Sequence, residues 1–361
     1  MEEIVTNILK TLEKKGFESY IVGGYVRDHL MGKTSLDVDI ATLARPKEVM
    51  EIFSKNNPVS FEYGNVSFEK DDYTFDITTF RKDIKYTGNR KPEKIVYIDS
   101  FKEDLERRDF TINSIAMDSD GNIIDVYDGQ SDIKKKVIKS VLDPDKKLEE
   151  DSLRILRAIR FATIFKFKLD SDLKKAIIKH KDLLKNLSYE RKKEELNKIF
   201  TSKHKKYGVK LLNDLGLIEV LELKDLKYVF HTNDIIGMWS VITDADYAFT
   251  KYEKEIMEKV RNLMKENLHN KYIQYQYGCY ALTLASDLKK NNTKRLIQSY
   301  DKLPIKDRDE LDINAEEICE ILGRDPDSFL KTIFDDLERL VVSGKLKNKK
   351  EKIENYIRQS Y

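Results

Sequence analysis

Residues 21–42 read IVGGYVRDHLMGKTSLDVDIAT: a Gly-Gly pair closes one apolar run, and two carboxylates stand at alternate positions of the next. In a strand, residues two apart project from the same face, so Asp37 and Asp39 point together while Val38 and Ile40 turn into a core. Parallel carboxylates a few ångströms apart repel one another unless a cation lies between them. An all-oxygen pair suits Mg²⁺, which takes one or two carboxylates and completes its shell with water and substrate phosphates. Gly23 and Gly24 let backbone amides approach a triphosphate, and Tyr25 to Met31 reads as a helix whose positive end faces the same anion. Either piece alone also occurs as a surface acidic pair or an ordinary turn; together they predict a site for phosphoryl transfer.

The rest of the composition sets bounds on that reading. A length of 361 residues suggests, at roughly 150 per domain, two or three domains with real hydrophobic cores. Charged residues make up 36% of the chain, yet 66 Lys and Arg against 64 Asp and Glu leave a formal charge of only +2. A nucleic-acid surface is therefore expected as a local patch, not a global field. Cys279 and Cys319 lie far apart without CxxC spacing, which argues against a zinc site or a disulfide framework, suits a reducing cytoplasm and predicts two buried packing residues. The first helix, MEEIVTNILKTLEKKGF, has no long apolar centre and does not read as a secretory signal. No later segment approaches the roughly 18 apolar residues of a membrane span.

Along the chain, YIVGG, LDVDIAT, VSFE, FDITTF and KIVYID read as short strands up to about residue 100. From about residue 139 the apolar spacing is helical nearly throughout, as in LRILRAIRFATIF, EELNKIF and EKEIMEKVRNLMKENL. The expected class is α+β, a small mixed sheet followed by an all-helical remainder, with Pro144 and Pro304 near plausible boundaries. The lysine-rich end, SGKLKNKKEKIENYIRQSY, reads first as a solvated helix face and second as an RNA contact.

With Arg27, Asp28 and Thr42, the Gly-Gly turn and DxD resemble the signature of the nucleotidyltransferase superfamily, in its class II branch of tRNA CCA-adding enzymes and bacterial poly(A) polymerases. Leu105 to Met117, LERRDFTINSIAM, looks like the RRDFTxN motif of that family. The resemblance implies that Arg107 and Arg108 neutralise phosphates and that Asp109 and Asn113 hydrogen-bond a ribose. A capped helix start at Asp109 explains the same residues structurally, and both can hold. Asp76, on FDITTF, is the candidate third carboxylate beside the DxD, helping to hold the activating ion of a two-ion site; the family commonly has glutamate there. Arg81 to Pro92, with Tyr86, Gly88 and Arg90, resembles the flexible loop of enzymes that add the terminal A, or is an ordinary polar loop.

The segment Glu150 to Ala162, EDSLRILRAIRFA, bears on base choice. Asp151 and Arg154 are three apart in a periodic run and are expected on one helix face. Such a pair can be a plain surface ion pair. Cytosine and adenine, however, both present an amino donor beside a ring-nitrogen acceptor, whereas uracil and guanine present a carbonyl beside an N–H. A carboxylate accepting from the amino group and a guanidinium donating to the ring nitrogen would select C and A, each good bidentate contact being worth about 1–3 kcal/mol. The EDxxR resembles the nucleotide-templating motif of the family, with Ser152 at a variable position. Arg107, Glu150, Arg157 and Arg191 are read as supporting groups. Residues 125–141, DVYDGQSDIKKKVIKSV, resemble the hinge between head and neck, with Gly129 as the turn and Asp132 as a cap or hinge contact. In ERKKEEL, Arg191 is placed to brace Asp151, and Glu194 or Glu195 a neck arginine; plain helix-face charge explains that motif equally well.

The resemblance implies a polymerase-beta-like catalytic head over residues 1–138, a templating neck over 139–200, and an RNA-binding body and tail over 201–300 and 301–361. It further implies CTP and ATP as substrates, a pair of Mg²⁺ ions, and the acceptor and T arms of tRNA as partner. His29, His180, His204, His231 and His269 are scattered, so the HD phosphohydrolase domain carried by some family members is not expected. The rivals are a poly(A) polymerase, a CC-only or A-only enzyme, a silent RNA-binding protein of the same fold, and an antibiotic nucleotidyltransferase.

Overall fold

The structure, a computed structural model, describes residues 2–53, 60–62, 65–87 and 91–361, without the side chains of 60–62, 83–87 and 91–94. The chain divides into two compact units, Met1–Glu222 and Leu223–Tyr361. The first begins with α1 (Glu3–Glu13), whose Val5, Ile8, Leu9 and Leu12 fall on one face and are buried. There follow β1 (Ser19–Val22), α2 (Gly24–Leu30), β2 (Asp37–Thr42), α3 (Pro46–Phe53), β3 (Ser60–Glu62), β4 (Asn65–Lys70) and β5 (Tyr73–Thr79). Strands β6 (Arg81–Thr87) and β7 (Lys91–Tyr97), α4 (Phe101–Glu106), β8 (Ala116–Met117) and β9 (Ile123–Ile124) complete the sheet region. Seven strands form one mixed sheet in the order β3-β4-β5-β2-β1-β8-β9, with β2 and β5 parallel. Alternation does what the sequence predicts: Val38, Ile40, Phe75 and Ile77 are buried with the apolar face of α1, while Asp37 and Asp39 are exposed on the other side.

One expectation is overturned here. The stretch read as a loop from Arg81 to Pro92 is for the most part a ladder: β6 and β7 pair antiparallel from Arg81↔Tyr97 to Thr87↔Lys91. Ile84, Tyr86 and Thr87 favour strand, and that preference outweighs the high charge that suggested a loop. Gly88, Arg90 and the side chain of Tyr86 lie outside the described residues.

The helical part of the first unit comprises α5 (Gly129–Lys135), α6 (Pro144–Glu150), α7 (Leu153–Phe165), α8 (Ser171–His180), α9 (Tyr189–Phe200) and α10 (Lys205–Asp214). A short parallel pair, β10 (Val137–Ile138) and β11 (Lys168–Leu169), lies among them. Pro144 begins α6, and the Asp143 side chain accepts the Asp145 N–H as its cap. Helix α7 packs against α9 and α10 and is buried almost all round, which is why its sequence is apolar beyond a single stripe.

The second unit is helical: α11 (Ile235–Ile242), α12 (Lys251–Leu263), α13 (Lys271–Leu288, broken at Gly278 with φ 74°), α14 (Thr293–Asp301), α15 (Ala315–Leu322), α16 (Phe329–Val342) and α17 (Lys350–Ser360). Capping boxes, Thr250 with Glu253 and Asn314 with Glu317, start α12 and α15. The lysine-rich end is anchored, since Ile353 and Ile357 of α17 are fully buried. Neither Pro144 nor Pro304 marks the division between units, which falls at Glu222/Leu223. Cys279 and Cys319 are free and half-buried, less enclosed than expected. Among the described residues no helix is long and apolar enough to cross a membrane.

Candidate active site

Register puts the carboxylates beside the glycine turn. Asp39 pairs with Val22, the last residue of β1, so its side chain stands next to Gly23. Gly23 has φ 72°, and a Cβ there would lie 3.1 Å from Asp39 Oδ2 and 3.2 Å from Arg108 Nη1. Glycine at this position is therefore demanded twice, by backbone and by close approach. At Gly24 a Cβ would meet only Arg27 Nη2, at 3.6 Å, an ordinary contact; the Gly24 N–H instead bonds the Asp39 carboxylate. Burial, opposed by Arg108, and the like charges of Asp76 and Asp37 raise the pKa of Asp39.

Asp37 and Asp39 open on a cavity of about 610 Å³ that is also lined by Gly23, Gly24, Asp28, Asp109, Asn113, Asp151, Phe161 and the arginines 27, 107, 108, 154, 157, 160 and 191. Every arginine is held. Arg27 donates to both Asp28 oxygens (3.0 and 2.9 Å) and to Asn113 Oδ1 (2.6 Å), with its guanidinium over the Phe165 ring. Asn113 in turn donates to Asp109 Oδ1 at 3.0 Å, and Arg157 clasps Asp109 Oδ2 through Nε (2.7 Å) and Nη2 (2.6 Å). Burial would raise the Asp109 carboxyl, but Arg157 and Asn113 override it and hold the pKa at about 2. One chain of bonds thus joins α2, the 3-10 turn Thr111–Asn113 and α7.

Arg107 and Arg108 straddle Asp104, a fully buried carboxylate of α4 at 2.8 and 3.6 Å. Asp104 escaped the sequence reading; its spacing of three and four residues before two arginines on a helix is the signal that could have found it. Burial lowers the pKa of Arg108, and Asp104 and Asp39 oppose it. Gly129 is required for contact, since a Cβ would stand 2.3 Å from the Thr111 carbonyl oxygen, and Asp132 accepts the Thr111 hydroxyl at 2.7 Å.

One expectation needs correction. Asp151 and Arg154 do not share a helix face. Helix α6 ends at Glu150, Asp151 is extended (φ −144°, ψ 103°), and its Oδ1 accepts the Leu153 N–H at 3.0 Å to start α7. Capping chemistry at Asp151 breaks the helix that periodicity implied. Both side chains nonetheless line the same cleft. Arg154 is tied to Glu150 (2.8 Å) and the carbonyls of Lys147 (2.9 Å) and Arg107 (3.0 Å), and Asp151 to Arg191 at 3.5 Å. Glu195 pairs with Arg160 at 2.9 Å. Asp76 is in register beside Asp39, whose pKa its charge helps to raise, and its Oδ1 accepts from Ser67 and from Asn65 (3.0 Å). Thr42 is buried, its hydroxyl 2.8 Å from that of Ser19. Among the described residues no group of three or more His, Cys, Asp or Glu could hold a metal.

The mixed sheet with its paired carboxylates, and the arginine-lined cleft completed by α7, define a nucleotidyltransferase. The family described as Poly A polymerase head domain matches residues 19–139, that described as probable RNA and SrmB-binding site of polymerase A matches 166–227, and tRNA nucleotidyltransferase domain 2 matches 246–357. The chain is 34% identical to the CCA-adding enzyme of Ligilactobacillus salivarius, over 95% of this chain and 93% of that one. It is 31% identical to that of Anoxybacillus flavithermus, over 97% and 95%. The crystal structure of the Bacillus stearothermophilus CCA-adding enzyme in complex with CTP matches 99% of this chain and 98% of that one, with a TM-score of 0.84 at 26% identity. The chain belongs to the CCA-adding enzyme family and is a tRNA nucleotidyltransferase.

Proposed function

We propose that this protein completes the 3′ end of tRNA by adding C, C and A from CTP and ATP without a nucleic-acid template. The observation that carries the reading is that one cleft holds both the acidic pair, Asp37 and Asp39, and a fixed acceptor and donor, Asp151 and Arg154. At each step the tRNA 3′-hydroxyl oxygen bonds the α-phosphorus, the bond to the leaving pyrophosphate breaks, and the hydroxyl proton passes to solvent. The Gly23–Gly24 turn, Arg27, Arg107 and Arg108 receive the triphosphate, while Asn113 and Asp109 meet the ribose. Asp151 accepts from the base amino group and Arg154 donates to the ring nitrogen, so cytosine and adenine fit and uracil and guanine leave polar groups unpaired. Arg157 and Arg191 keep Asp109 and Asp151 in place.

A divalent cation fits the donors present. Two carboxylates on one strand face, with Asp39 raised by burial and by its acidic neighbours, favour a cation, and Mg²⁺ takes one or two carboxylates beside nucleotide phosphates. Asp37 and Asp39 would hold it, and bound there it supplies Lewis-acid activation and neutralises charge on the phosphates. Residues 1–138 act as catalytic head and 139–200 as neck, while 201–300 and 301–361 grip the acceptor and T arms through backbone charge and shape. We place the reaction in the cytoplasm, which the free Cys279 and Cys319 suit.

The test is incubation of the protein and Mg²⁺ with a tRNA transcript ending at the discriminator base, read at single-nucleotide resolution. A three-nucleotide stop that needs both CTP and ATP is expected. A stop after CC, a single A on a CC-ended tRNA, an open A ladder or no extension would overturn the reading in favour of a named rival.

A further inference from the structure

We propose that Lys147 is a positioning residue for nucleotide selection, holding the Arg154 guanidinium through Glu150 in the orientation that meets the incoming base. The proposal rests on the reading of Arg154 as a base-contacting group. Lys147 lies in the last turn of α6 with 7% of its side chain exposed. A buried ammonium is costly unless paired, and Lys147 is paired with Glu150 Oε2 at 3.3 Å. That same oxygen accepts from Arg154 Nη1 at 2.8 Å. The Lys147 carbonyl accepts from Nη1 at 2.9 Å, and the Arg107 carbonyl from Nη2 at 3.0 Å. Three of the five guanidinium donors are therefore used by the protein, and two remain for a ligand in the cleft that Arg154 lines.

Lys147 itself does not line that cleft. It lines a separate cavity of about 250 Å³ together with Glu106, Arg107 and Glu150. Its charge is thus buried away from the nucleotide and directed at one carboxylate. Glu150 is 38% exposed, so with Arg154 as sole partner its carboxylate would compete with water for position. A second cation on the buried side pins it. Lys147 acts on Arg154 twice, through its carbonyl directly and through its ammonium by way of Glu150. Burial and the like charge of Arg154 lower the proton affinity of Lys147, and Glu150 and Glu106 oppose them, as expected of a cation kept in place by this pairing.

The experiment measures initial rates of the full-length protein on a tRNA transcript with CTP or with UTP, for wild type, Lys147→Met, Lys147→Arg, Glu150→Gln and Arg154→Lys. Lys147→Met is expected to raise the KM for CTP and to increase the use of UTP relative to CTP by about tenfold, the scale of one weakened base contact. Lys147→Arg, which keeps the buried cation, is expected to restore both. A lowered melting temperature in folded Lys147→Met with the wild-type CTP:UTP ratio would mean that Lys147 only stabilises the fold, and overturns the proposal. Should Lys147→Met not fold, Glu150→Gln decides, and a wild-type ratio there overturns it. Arg154→Lys separates the two readings. Wild-type selection in that variant removes the base-contacting role itself, whereas relaxed selection there beside wild-type selection in Lys147→Met removes the role of Lys147 alone.

Discussion

Gly23 and Asp39 occupy adjoining space, and each can be tested alone. An alanine at Gly23 would need φ 72° and a Cβ 3.1 Å from Asp39 Oδ2, so Gly23→Ala is expected to cost about 1–3 kcal/mol and to displace the carboxylate. A lowered unfolding midpoint together with lost nucleotide incorporation is the outcome to look for. Asp39→Ala is expected to abolish incorporation while tRNA affinity, measured by filter binding, stays near wild type. Retained turnover would remove Asp39 from the metal site. Asp109 carries the pH prediction. Its carboxyl is held at about 2, below the roughly 4 of an unfolded chain, so its stabilisation is present above pH 4 and is lost as the pH falls through 2. Arg157→Gln removes the partner and is expected to destabilise the protein by about 2 kcal/mol at pH 7, a difference that shrinks in denaturant melts as the pH approaches 2.

At the next scale, strands and helices set which side chains can meet. The parallel pairing of β2 with β5 brings Asp76 beside Asp39, while Ser67 and Asn65 of β4 both engage its Oδ1. Helix α7 presents Arg154, Arg157 and Phe161 to the cleft at spacings of three and four. Its first turn depends on the break at Asp151. Helix α5 meets the 3-10 turn carrying Asn113 at Gly129, where a Cβ would stand 2.3 Å from a backbone oxygen and 2.6 Å from Ile115. Gly129→Ala must therefore move α5 or the turn, at about 1–3 kcal/mol or more. The expected signature is a lower melting temperature accompanied by a raised KM for CTP. An unchanged KM would show that the turn carrying Asn113 absorbs the shift without consequence.

Over the chain as a whole, all cleft residues belong to the unit Met1–Glu222, together with the sheet core that supports them. A fragment ending at Glu222 is expected to keep CTP binding by calorimetry and to lose tRNA extension. Loss of CTP binding by a folded fragment would show that the second unit completes the nucleotide site. The net charge of +2 spreads 66 basic and 64 acidic residues through both units, so tRNA affinity should follow local contacts. It is expected to fall steeply with added salt, in proportion to the phosphates neutralised.

Local chemistry carried far in this chain. The period of two in LDVDIAT and FDITTF announced buried Val38, Ile40, Phe75 and Ile77 under exposed carboxylates, and the glycine pair announced the turn beside them. The α+β order and the motifs of the cleft could be read because each is contained within a dozen or so residues. Pairings between distant segments could not. Nothing in the local sequence reveals that Arg27 reaches Asn113, that Arg157 clasps Asp109, or that the Arg107 carbonyl takes a donor of Arg154. Those contacts depend on strand register and on where a helix breaks. At Asp151 a side-chain oxygen bonding the Leu153 N–H outcompeted one more turn of helix, and the long-range fold then set Arg191 of α9 beside that carboxylate.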